Sequence, residues 1–332
     1  MASEPLVLGV DVGGTKVAAG VVEGAEVRDM AEHPTDVSNT EALLDGIEAC
    51  VDEVVRNAGA PAGVGVGVPS QIEFATGTVE TSVNIPLTGV PLREELGRRF
   101  GVPVFVDNDA NCAALAESRT VGSDELTMLT LGTGVGGGVV IGGRIFRGAN
   151  GLGAELGHIS INPDGPPCPG NCPNYGCLES YCSGQALERD ATELAQDRPD
   201  SRLHAALGEN GRVAGREVVK AAEEGDPDAL RIFDRFARML GIGISNFVNV
   251  FEPELLVIGG GLSRVSHLFL EQAVQEAGSR ALPALWHRVT VGVARGGSYA
   301  GLIGAGVLAA QELQADSRDT ETETASTSEG AR

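Results

Sequence analysis

Residues 6–22 read LVLGVDVGGTKVAAGVV, and residues 128–143 read MLTLGTGVGGGVVIGG. In each stretch, apolar residues rich in valine flank a cluster of glycines. This pattern predicts two strands joined by a turn in which glycine takes positive φ. Two copies of one strand–turn–strand unit predict two lobes of similar topology.

A dinucleotide fingerprint is the competing interpretation of the second copy, because Gly132, Gly134 and Gly137 fit the spacing GxGxxG. That fingerprint requires a helix to begin inside the motif. Here the motif is followed by VVIGGRIF, which is β-branched and interrupted by a second glycine pair. The sequence therefore predicts a hairpin at this position and excludes the fingerprint.

Helices and strands alternate after each copy, which is typical of an α/β fold. Periodicity and caps predict helices at residues 39–57, 92–100, 110–117, 183–195, 215–223, 229–251, 266–277 and 300–313. Further strands are predicted at residues 63–68, 102–106, 126–131, 255–258 and 289–294. Residues 315–332 are acidic and hydroxylic without an apolar period, so we expect a disordered tail.

The composition excludes several classes of protein. The chain has 332 residues, 42% of them hydrophobic, which is enough for two domains or one large α/β unit. Its 46 acidic and 24 basic residues give a net charge of −22, which disfavours nucleic acid and anionic membranes as partners. With no run of about 18 apolar residues and no leader pattern, the sequence predicts a cytoplasmic protein with reduced cysteines.

A loop rich in proline and glycine gathers metal-binding residue types. Residues 153–180 read GAELGHISINPDGPPCPGNCPNYGCLES. His158, Cys168, Cys172 and Cys177 offer the imidazole and thiolates that zinc prefers in a tetrahedral set of four. A bound metal would fix the loop, and with it the two glutamates at its ends. Cys182 lies nearby and is an alternative to one of the three cysteines.

A second polar cluster, Asp107-Asn108-Asp109-Ala110-Asn111, lies where a predicted strand ends and a helix begins. A helix cap explains one of these residues but does not explain four polar side chains in five positions. Ligand sites in α/β sheets lie at the carboxyl ends of strands. A carboxylate at this place can act as a general base.

The glycine clusters have a functional and a purely structural interpretation. The N–H groups of each turn and the hydroxyls of Thr15 and Thr133 can face a phosphate, with Asp11 near a magnesium ion. Equally, glycines can simply form tight turns. At the strand end 257–261, VIGGG, glycine would admit either the flat ring of a nucleoside or close packing of the backbone.

Six motifs in order resemble the ROK kinases of the sugar kinase, hsp70 and actin superfamily, and most closely the bacterial ROK glucokinases. They are DVGGTK at 11–16, NDAN at 108–111, LGTGVGGG at 131–138, GANGLGAELGH at 148–158, GCLES at 176–180 and VIGGG at 257–261. The motifs span most of the chain up to about residue 310. One departure is that three residues separate Cys168 from Cys172, where the family usually has C-x-C, so Cys182 stays an alternative.

The resemblance implies a role for each matching residue. Asp109 would be the catalytic base for the sugar 6-hydroxyl. The sugar contacts would be Asn84, Asn108, Asp109, Glu155, His158 and Glu179. Asp11 would lie near Mg²⁺, and the nucleotide contacts would be Gly13, Gly14, Thr15, Lys16, Thr133, Gly134, Gly260 and Gly261. His158 would bind the sugar with one ring nitrogen and Zn²⁺ with the other, so that the metal orients the ring.

The resemblance also implies an architecture. It predicts two RNase H-like lobes of the actin-like ATPase kind with a cleft between them and the zinc loop, residues 158–182, in the second lobe. The first lobe would comprise residues 1–120 with the helix 300–314, and the second residues 121–299. Family members are commonly homodimers or homotetramers. The family also contains repressors with a DNA-binding segment, which we do not expect here because the first strand starts at residue 6 and the charge is acidic.

The implied activity is ATP-dependent phosphorylation of glucose at O6. Within the same class, the alternatives are another hexose, namely mannose, fructose, N-acetylmannosamine or N-acetylglucosamine, or polyphosphate as donor. A few residues of the loop predicted at residues 70–84 would decide the choice of sugar. The alternatives from other classes are a sugar sensor without catalysis and a zinc-stabilised protein whose loop only builds an interface.

Overall fold

The structure is a computed structural model that describes residues 5–170 and 172–329. The first half contains β1 (Val7–Val12), β2 (Lys16–Glu23), β3 (Glu26–Pro34), α1 (Thr40–Ala58), β4 (Gly63–Val68), β5 (Ser70–Glu73), β6 (Thr78–Ser82), α2 (Leu92–Phe100), β7 (Val104–Asn108) and α3 (Asp109–Val121). Then follow β8 (Leu126–Leu131), β9 (Val135–Ile141), β10 (Arg144–Ile145), α4 (Glu179–Cys182), α5 (Gly184–Asp197), α6 (Arg202–Ala205), α7 (Gly215–Glu223), α8 (Pro227–Phe251), β11 (Leu255–Gly259), α9 (Leu270–Arg280), α10 (Pro283–Trp286), β12 (Thr290–Val293) and α11 (Ala300–Glu329). Short 3₁₀ helices span Leu156–His158, Gly261–Leu268 and Gly297–Tyr299.

The two glycine-turn units open two sheets of the same topology. One five-stranded sheet has the order β3-β2-β1-β4-β7, and the other has the order β10-β9-β8-β11-β12. In the first sheet, β1 pairs antiparallel with β2 and parallel with β4. In the second sheet, β8 pairs antiparallel with β9 and parallel with β11. The duplicated α/β topology predicted from the sequence is confirmed.

The chain divides into two compact units. Unit 1 comprises Met1–Asp124, Gly143–Gly153 and Arg295–Arg332, and unit 2 comprises Glu125–Gly142 and Ala154–Ala294. Each unit has its own apolar cluster. The sequence-based domain limits stay a proposal, and they did not include the short segment 143–153 in the first lobe.

Helix α11 packs on the sheet of unit 1 through glycines. A Cβ on Gly65 of β4 would overlap the carbonyl oxygen of Ala305, and one on Gly9 of β1 would overlap that of Leu302. On the helix side, a Cβ on Gly304 would overlap the carbonyl oxygen of Cys112 in α3. Gly65 in the alternating sequence GVGVGV of β4 therefore allows the backbone of α11 to approach that of β4 closely.

Gly65→Ala is expected to destabilise unit 1 by about 3 kcal/mol or more, because the added methyl group meets backbone that cannot rotate away. The measurement is urea unfolding. Gly46→Ala is the matched control, since Gly46 lies in α1 with open space beside it, and helix propensity predicts a gain of about 1 kcal/mol. Equal effects of the two substitutions would contradict the close-packing interpretation.

Two segments differ from the sequence-based expectation. Residues 70–84, predicted as a loop, contain the hairpin β5–β6, whose strands are too short to show a period and each bury one large apolar side chain, Ile72 and Val79. Helix α11 is helical to Glu329, where the composition predicts disorder, and no proline or glycine interrupts residues 307–329. Residues 330–332 of the predicted tail lie outside the described residues.

Among the residues that the structure describes, no helix is long and apolar enough to cross a bilayer.

Candidate functional site

The four predicted metal ligands lie together in unit 2. The ligand atoms of His158, Cys168, Cys172 and Cys177 all lie within 4.8 Å of one another. Tetrahedral zinc with bonds of about 2.0–2.3 Å needs ligand atoms about 3.5–4 Å apart, so the set fits a cation after small adjustment. Burial raises the pKa of the Cys168 and Cys177 thiols, and a divalent cation would reverse that direction by stabilising the thiolates.

Cys182 is excluded from this cluster by its position. It is fully buried at the end of α4, and its thiol lies 3.6 Å from the carbonyl oxygen of Phe236 in the apolar core. The structure therefore groups Cys168, and not Cys182, with His158, Cys172 and Cys177. The unusual gap between Cys168 and Cys172 is accommodated because the chain reverses there, with Pro167 bridged to Tyr175.

The ring of His158 is oriented by the cluster. Its Nδ1 lies 3.4 Å from Sγ of Cys168, and its carbonyl oxygen lies 3.4 Å from Sγ of Cys177. Nδ1 is thus the nitrogen on the side of the thiols. The sequence-based hypothesis assigns the other ring nitrogen, Nε2, to the sugar, and this assignment stays a prediction.

Glu179 anchors the glycine turn of unit 2. Its Oε2 accepts a hydrogen bond of 2.7 Å from the N–H of Val135. A Cβ on Gly134 would lie 2.5 Å from the same oxygen, so only glycine fits there. The turn is further held by the N–H of Gly184, which donates to the carbonyl of Gly132 at 2.7 Å. The predicted phosphate contacts Thr133 and Gly134 therefore lie beside the predicted sugar contact Glu179.

Glu155 is exposed and follows a strained residue. Ala154 has φ of 65°, a left-handed conformation that costs a non-glycine residue roughly 1 kcal/mol. Strain of this kind concentrates at functional sites, where surrounding structure holds it in place. This conformation could not be predicted from the sequence, because alanine is not a typical turn residue.

The turn of unit 1 is closed by its own hydrogen bonds. The N–H of Gly13 donates to the carbonyl of Lys16 at 2.9 Å, and the hydroxyl of Thr35 donates to the carbonyl of Gly13 at 2.7 Å. Gly14 and Thr15 are exposed at its tip. The ammonium of Lys16 lies 2.6 Å from Glu32 and 5.3 Å from the ring centroid of Tyr299. The N–H of Gly13 already donates within the turn. The predicted nucleotide contact at Gly13 would therefore depend on close approach of the ligand to its backbone.

Asp11 lies at the end of β1 against the start of α11. A Cβ on Gly301 would lie 2.8 Å from both carboxylate oxygens of Asp11. Gly301 was not among the residues predicted for this site, although glycines inside a predicted helix, here GLIGAG at 301–306, indicate close packing. Carboxylate oxygen is the ligand type that Mg²⁺ prefers, so Asp11 fits a place near that ion.

Asp11→Asn is expected to raise stability, more at neutral than at acid pH. Burial raises the pKa of Asp11, and the Lys16 ammonium offsets part of that rise. The pKa of Asp11 in the folded state exceeds its value in the unfolded state. The stability of the wild type therefore falls as pH rises from the unfolded-state pKa through the folded-state pKa, and the asparagine variant does not lose this stability. Urea unfolding without magnesium at pH 3 and pH 7 measures the effect. Asp52→Asn, an exposed position on α1, should show no such dependence, and an equal gain at both pH values would contradict the prediction.

The structure separates the roles within residues 107–111. Asp107 is buried and pairs with Arg147. The side-chain oxygen of Asn108 caps α3 through the N–H groups of Ala110 and Asn111, and its Nδ2 donates to the carbonyl of Ser70 at 3.2 Å. Asp109, half-buried, is the first residue of α3, and its Oδ1 accepts from the N–H of Ala110 at 2.8 Å.

Asn84, the remaining sugar contact predicted in unit 1, is exposed beyond β6. Its carbonyl oxygen lies 4.0 Å from the position of a Cβ on Gly14. Asn84 and the glycine turn are therefore neighbours in unit 1.

The glycines after β11 have different environments. Gly260 has φ of 80°, and a Cβ there would lie 2.7 Å from the backbone nitrogen of Leu131. A Cβ on Gly261 would meet no atom within 4 Å. Close packing thus accounts for Gly260, whereas the space beside Gly261 suits the approach of a flat ring.

The pair Gly260→Ala and Gly261→Ala is expected to separate stability from nucleotide binding. Gly260→Ala should lower the unfolding free energy by about 1–3 kcal/mol through strain and overlap. Gly261→Ala should leave the melting temperature unchanged and raise KM for ATP several-fold, because a methyl group would occupy the space next to the ring. Thermal unfolding and steady-state kinetics check both, and an unchanged KM for Gly261→Ala would exclude the nucleoside contact.

Comparison with known proteins identifies the family. Two α/β units on one sheet topology, with glycine turns and a Cys₃His cluster, define the ROK sugar kinase fold. The profile of the ROK family matches residues 7–312, and the chain belongs to this family. The resemblance and the fold class predicted from the sequence are thereby confirmed.

Similar proteins cover almost the whole chain. The glucokinase of Halalkalibacterium halodurans is 36% identical over 326 residues, covering 95% of this chain and 98% of that protein. The ROK hexokinase of Thermus thermophilus superposes with a TM-score of 0.82 at 36% identity, covering 93% and 99% of the two chains. A ROK family glucokinase from Streptomyces griseus, solved in complex with glucose and AMPPNP, has a TM-score of 0.75 at 35% identity, covering 92% and 99%.

Proposed function

We propose that this chain is an ATP-dependent glucokinase that phosphorylates glucose at O6. The observation that carries the proposal is the likeness to a glucokinase over 95% of the chain at 36% identity. The six motifs all lie within residues 7–312, which the ROK family profile matches, and the glucose complex of the Streptomyces griseus relative supports the choice of sugar.

Asp109 would act as the general base. Phosphoryl transfer depends on positioning and charge stabilisation, so the base need only reach the 6-hydroxyl of the sugar by a hydrogen bond. The N–H of Ala110 donates to Oδ1 of Asp109 and so fixes the direction of the carboxylate at the start of α3. The proton of the hydroxyl would pass to Asp109 as the oxygen attacks the γ-phosphorus, and the bond from that phosphorus to the β,γ-bridging oxygen would break to release ADP.

The other sugar hydroxyls would be bound by Asn84, Asn108, Glu155, His158 and Glu179. The phosphates would be bound by the glycine turns at residues 13–16 and 133–134, and adenosine by Gly260 and Gly261. Asp11 would lie near magnesium, which supplies positive charge to the phosphates. Carboxylate and amide oxygens can accept hydrogen bonds from sugar hydroxyls, and the N–H groups of the glycine turns can donate to phosphate oxygens.

The Cys₃His cluster would hold Zn²⁺ in a structural role. Three thiolates and one imidazole fill a tetrahedral shell, leaving no position for a reacting water. The role of the ion would be to orient the His158 ring, whose Nε2 would then bind a sugar hydroxyl.

We further propose that the protein forms a homodimer or homotetramer, which sedimentation at several protein concentrations tests.

The test is ADP release from ATP and magnesium over glucose, mannose, fructose, N-acetylmannosamine and N-acetylglucosamine, at low and high salt. Glucose should give the highest kcat/KM. A higher value for another sugar would move the substrate assignment, and turnover with polyphosphate would widen the donor range. Binding of glucose without turnover on any donor would favour a sugar sensor instead.

A further inference from the structure

We propose that Arg147 is a positioning residue for the transfer, because it locks the segment that bears Asp109 and the hairpin β5–β6 into one arrangement. This inference rests on the proposed kinase function. Arg147 lies in the segment 143–153 of unit 1 and directly precedes the motif GANGLGAELGH at 148–158, but it is not among the predicted substrate contacts. Its two contacts point to the role.

The first contact fixes the backbone ahead of the base. Nε of Arg147 donates to Oδ2 of Asp107 at 2.6 Å, and the two side chains are only 12% and 4% exposed. The other oxygen, Oδ1, accepts from the N–H of Asn108 and from Nδ2 of Asn111, each at 2.8 Å. Asp107 therefore ties Arg147 to the residues on both sides of Asp109.

The second contact fixes the hairpin. The guanidinium carbon of Arg147 lies 3.7 Å from the ring centroid of Phe74, a stacked cation–π geometry. Phe74 directly follows β5. At the other end of β5, the carbonyl of Ser70 accepts from Asn108. Both ends of this strand are thus joined to the segment 107–111, one through Asn108 and one through Arg147.

The loop around Arg147 is itself shaped to this arrangement. The carbonyl of Arg147 accepts from the N–H of Gly153 at 2.9 Å. Gly151 has φ of 95°, and a Cβ there would lie 2.5 Å from the backbone nitrogen of Phe74. The backbone of this loop therefore touches the hairpin directly, and only glycine permits the contact.

Stability alone is a weak reason for such a pair. A buried ion pair loses hydration that its attraction often only balances, so an apolar pair can be equally stable. What the pair of Arg147 and Asp107 provides is a defined orientation. The planar guanidinium can pair with Asp107 through its edge and stack on Phe74 through its face at the same time. The hairpin leads on to Asn84, so its position would set where the sugar lies relative to Asp109.

The test compares Arg147→Lys and Phe74→Leu with wild type. Lysine keeps the charge opposite Asp107 but loses the stacking plane, and leucine leaves the ion pair intact, so both variants should fold. We expect kcat/KM for glucose to fall about 10–100-fold, since small displacements of reacting groups cost this much. KM for glucose should rise, KM for ATP should stay unchanged, and the glucose-to-mannose ratio should shift.

The matched control is Arg144→Met, in the same segment. Arg144 pairs with Glu312 at 2.9 Å with its side chain 50% exposed, so its kinetics should equal wild type. Wild-type kcat/KM and sugar ratio in both Arg147→Lys and Phe74→Leu would overturn the inference while leaving the kinase intact. A wild-type protein without turnover on any sugar would overturn the proposed function as well.

Discussion

Replacing Asp109 by asparagine is expected to lower kcat for glucose by about 10²–10⁴-fold, the range that general base catalysis contributes. Asparagine keeps an oxygen for the N–H of Ala110, so the start of α3 is preserved. It cannot accept the proton of the 6-hydroxyl. Steady-state kinetics with glucose and ATP measure the loss, and glucose binding measured by calorimetry should be kept within a few-fold.

The matched control for this change is Asp52→Asn, an exposed carboxylate on α1, which should retain wild-type kcat. Thermal unfolding of both variants verifies that the fold is intact. If Asp109→Asn kept full activity, the base would be another group, although the family and fold would stand.

Replacing Cys177 by serine is expected to abolish zinc binding and to lower glucose turnover by about 100-fold or more. The cluster would lose a thiolate from its four ligands, and His158 would lose the metal that orients its ring. Metal content by mass spectrometry should fall from about one zinc per chain to near none. The melting temperature should fall as well, because metal binding to such a site contributes to folding.

Cys182→Ala is the control that distinguishes the cluster from a buried cysteine elsewhere. Its side chain lies in the apolar core beside Phe236, so the variant should retain its zinc and its KM for glucose. Loss of zinc in Cys182→Ala, with zinc retained in Cys168→Ala, would reverse the ligand assignment. Retention of activity after complete removal of zinc by a chelator would exclude the orienting role of the metal.

Local patterns carried much of the prediction. Alternating apolar residues around glycine gave both hairpins, and the caps and stripe of α1 gave its limits within one residue, Asn39 being the cap. The His158 and cysteine set was visible because zinc ligands of this kind are close in sequence. These features depend on interactions between near neighbours in the chain, and such interactions leave a readable spacing.

Features that depend on distant segments were not predictable. The choice between Cys168 and Cys182 depends on the side on which α4 packs, which the spacing does not define. The pairing of Asp107 with Arg147 joins residues 40 positions apart, and a single sequence gives no signal for it. The hairpin β5–β6 was missed because each strand is too short for a period to be recognised.

The order in which the two units are completed follows from the path of the chain. Unit 1 begins with the first strand but includes residues 295 onward, and its glycines Gly9 and Gly65 lie against the backbone of α11. During synthesis, a ribosome that adds about 5–20 residues per second makes all of unit 2 before that helix is available. The face of the amino-terminal sheet at Gly9 and Gly65 therefore stays uncovered until α11 has been synthesised. The unit whose strands are made first is thus the last to complete its fold.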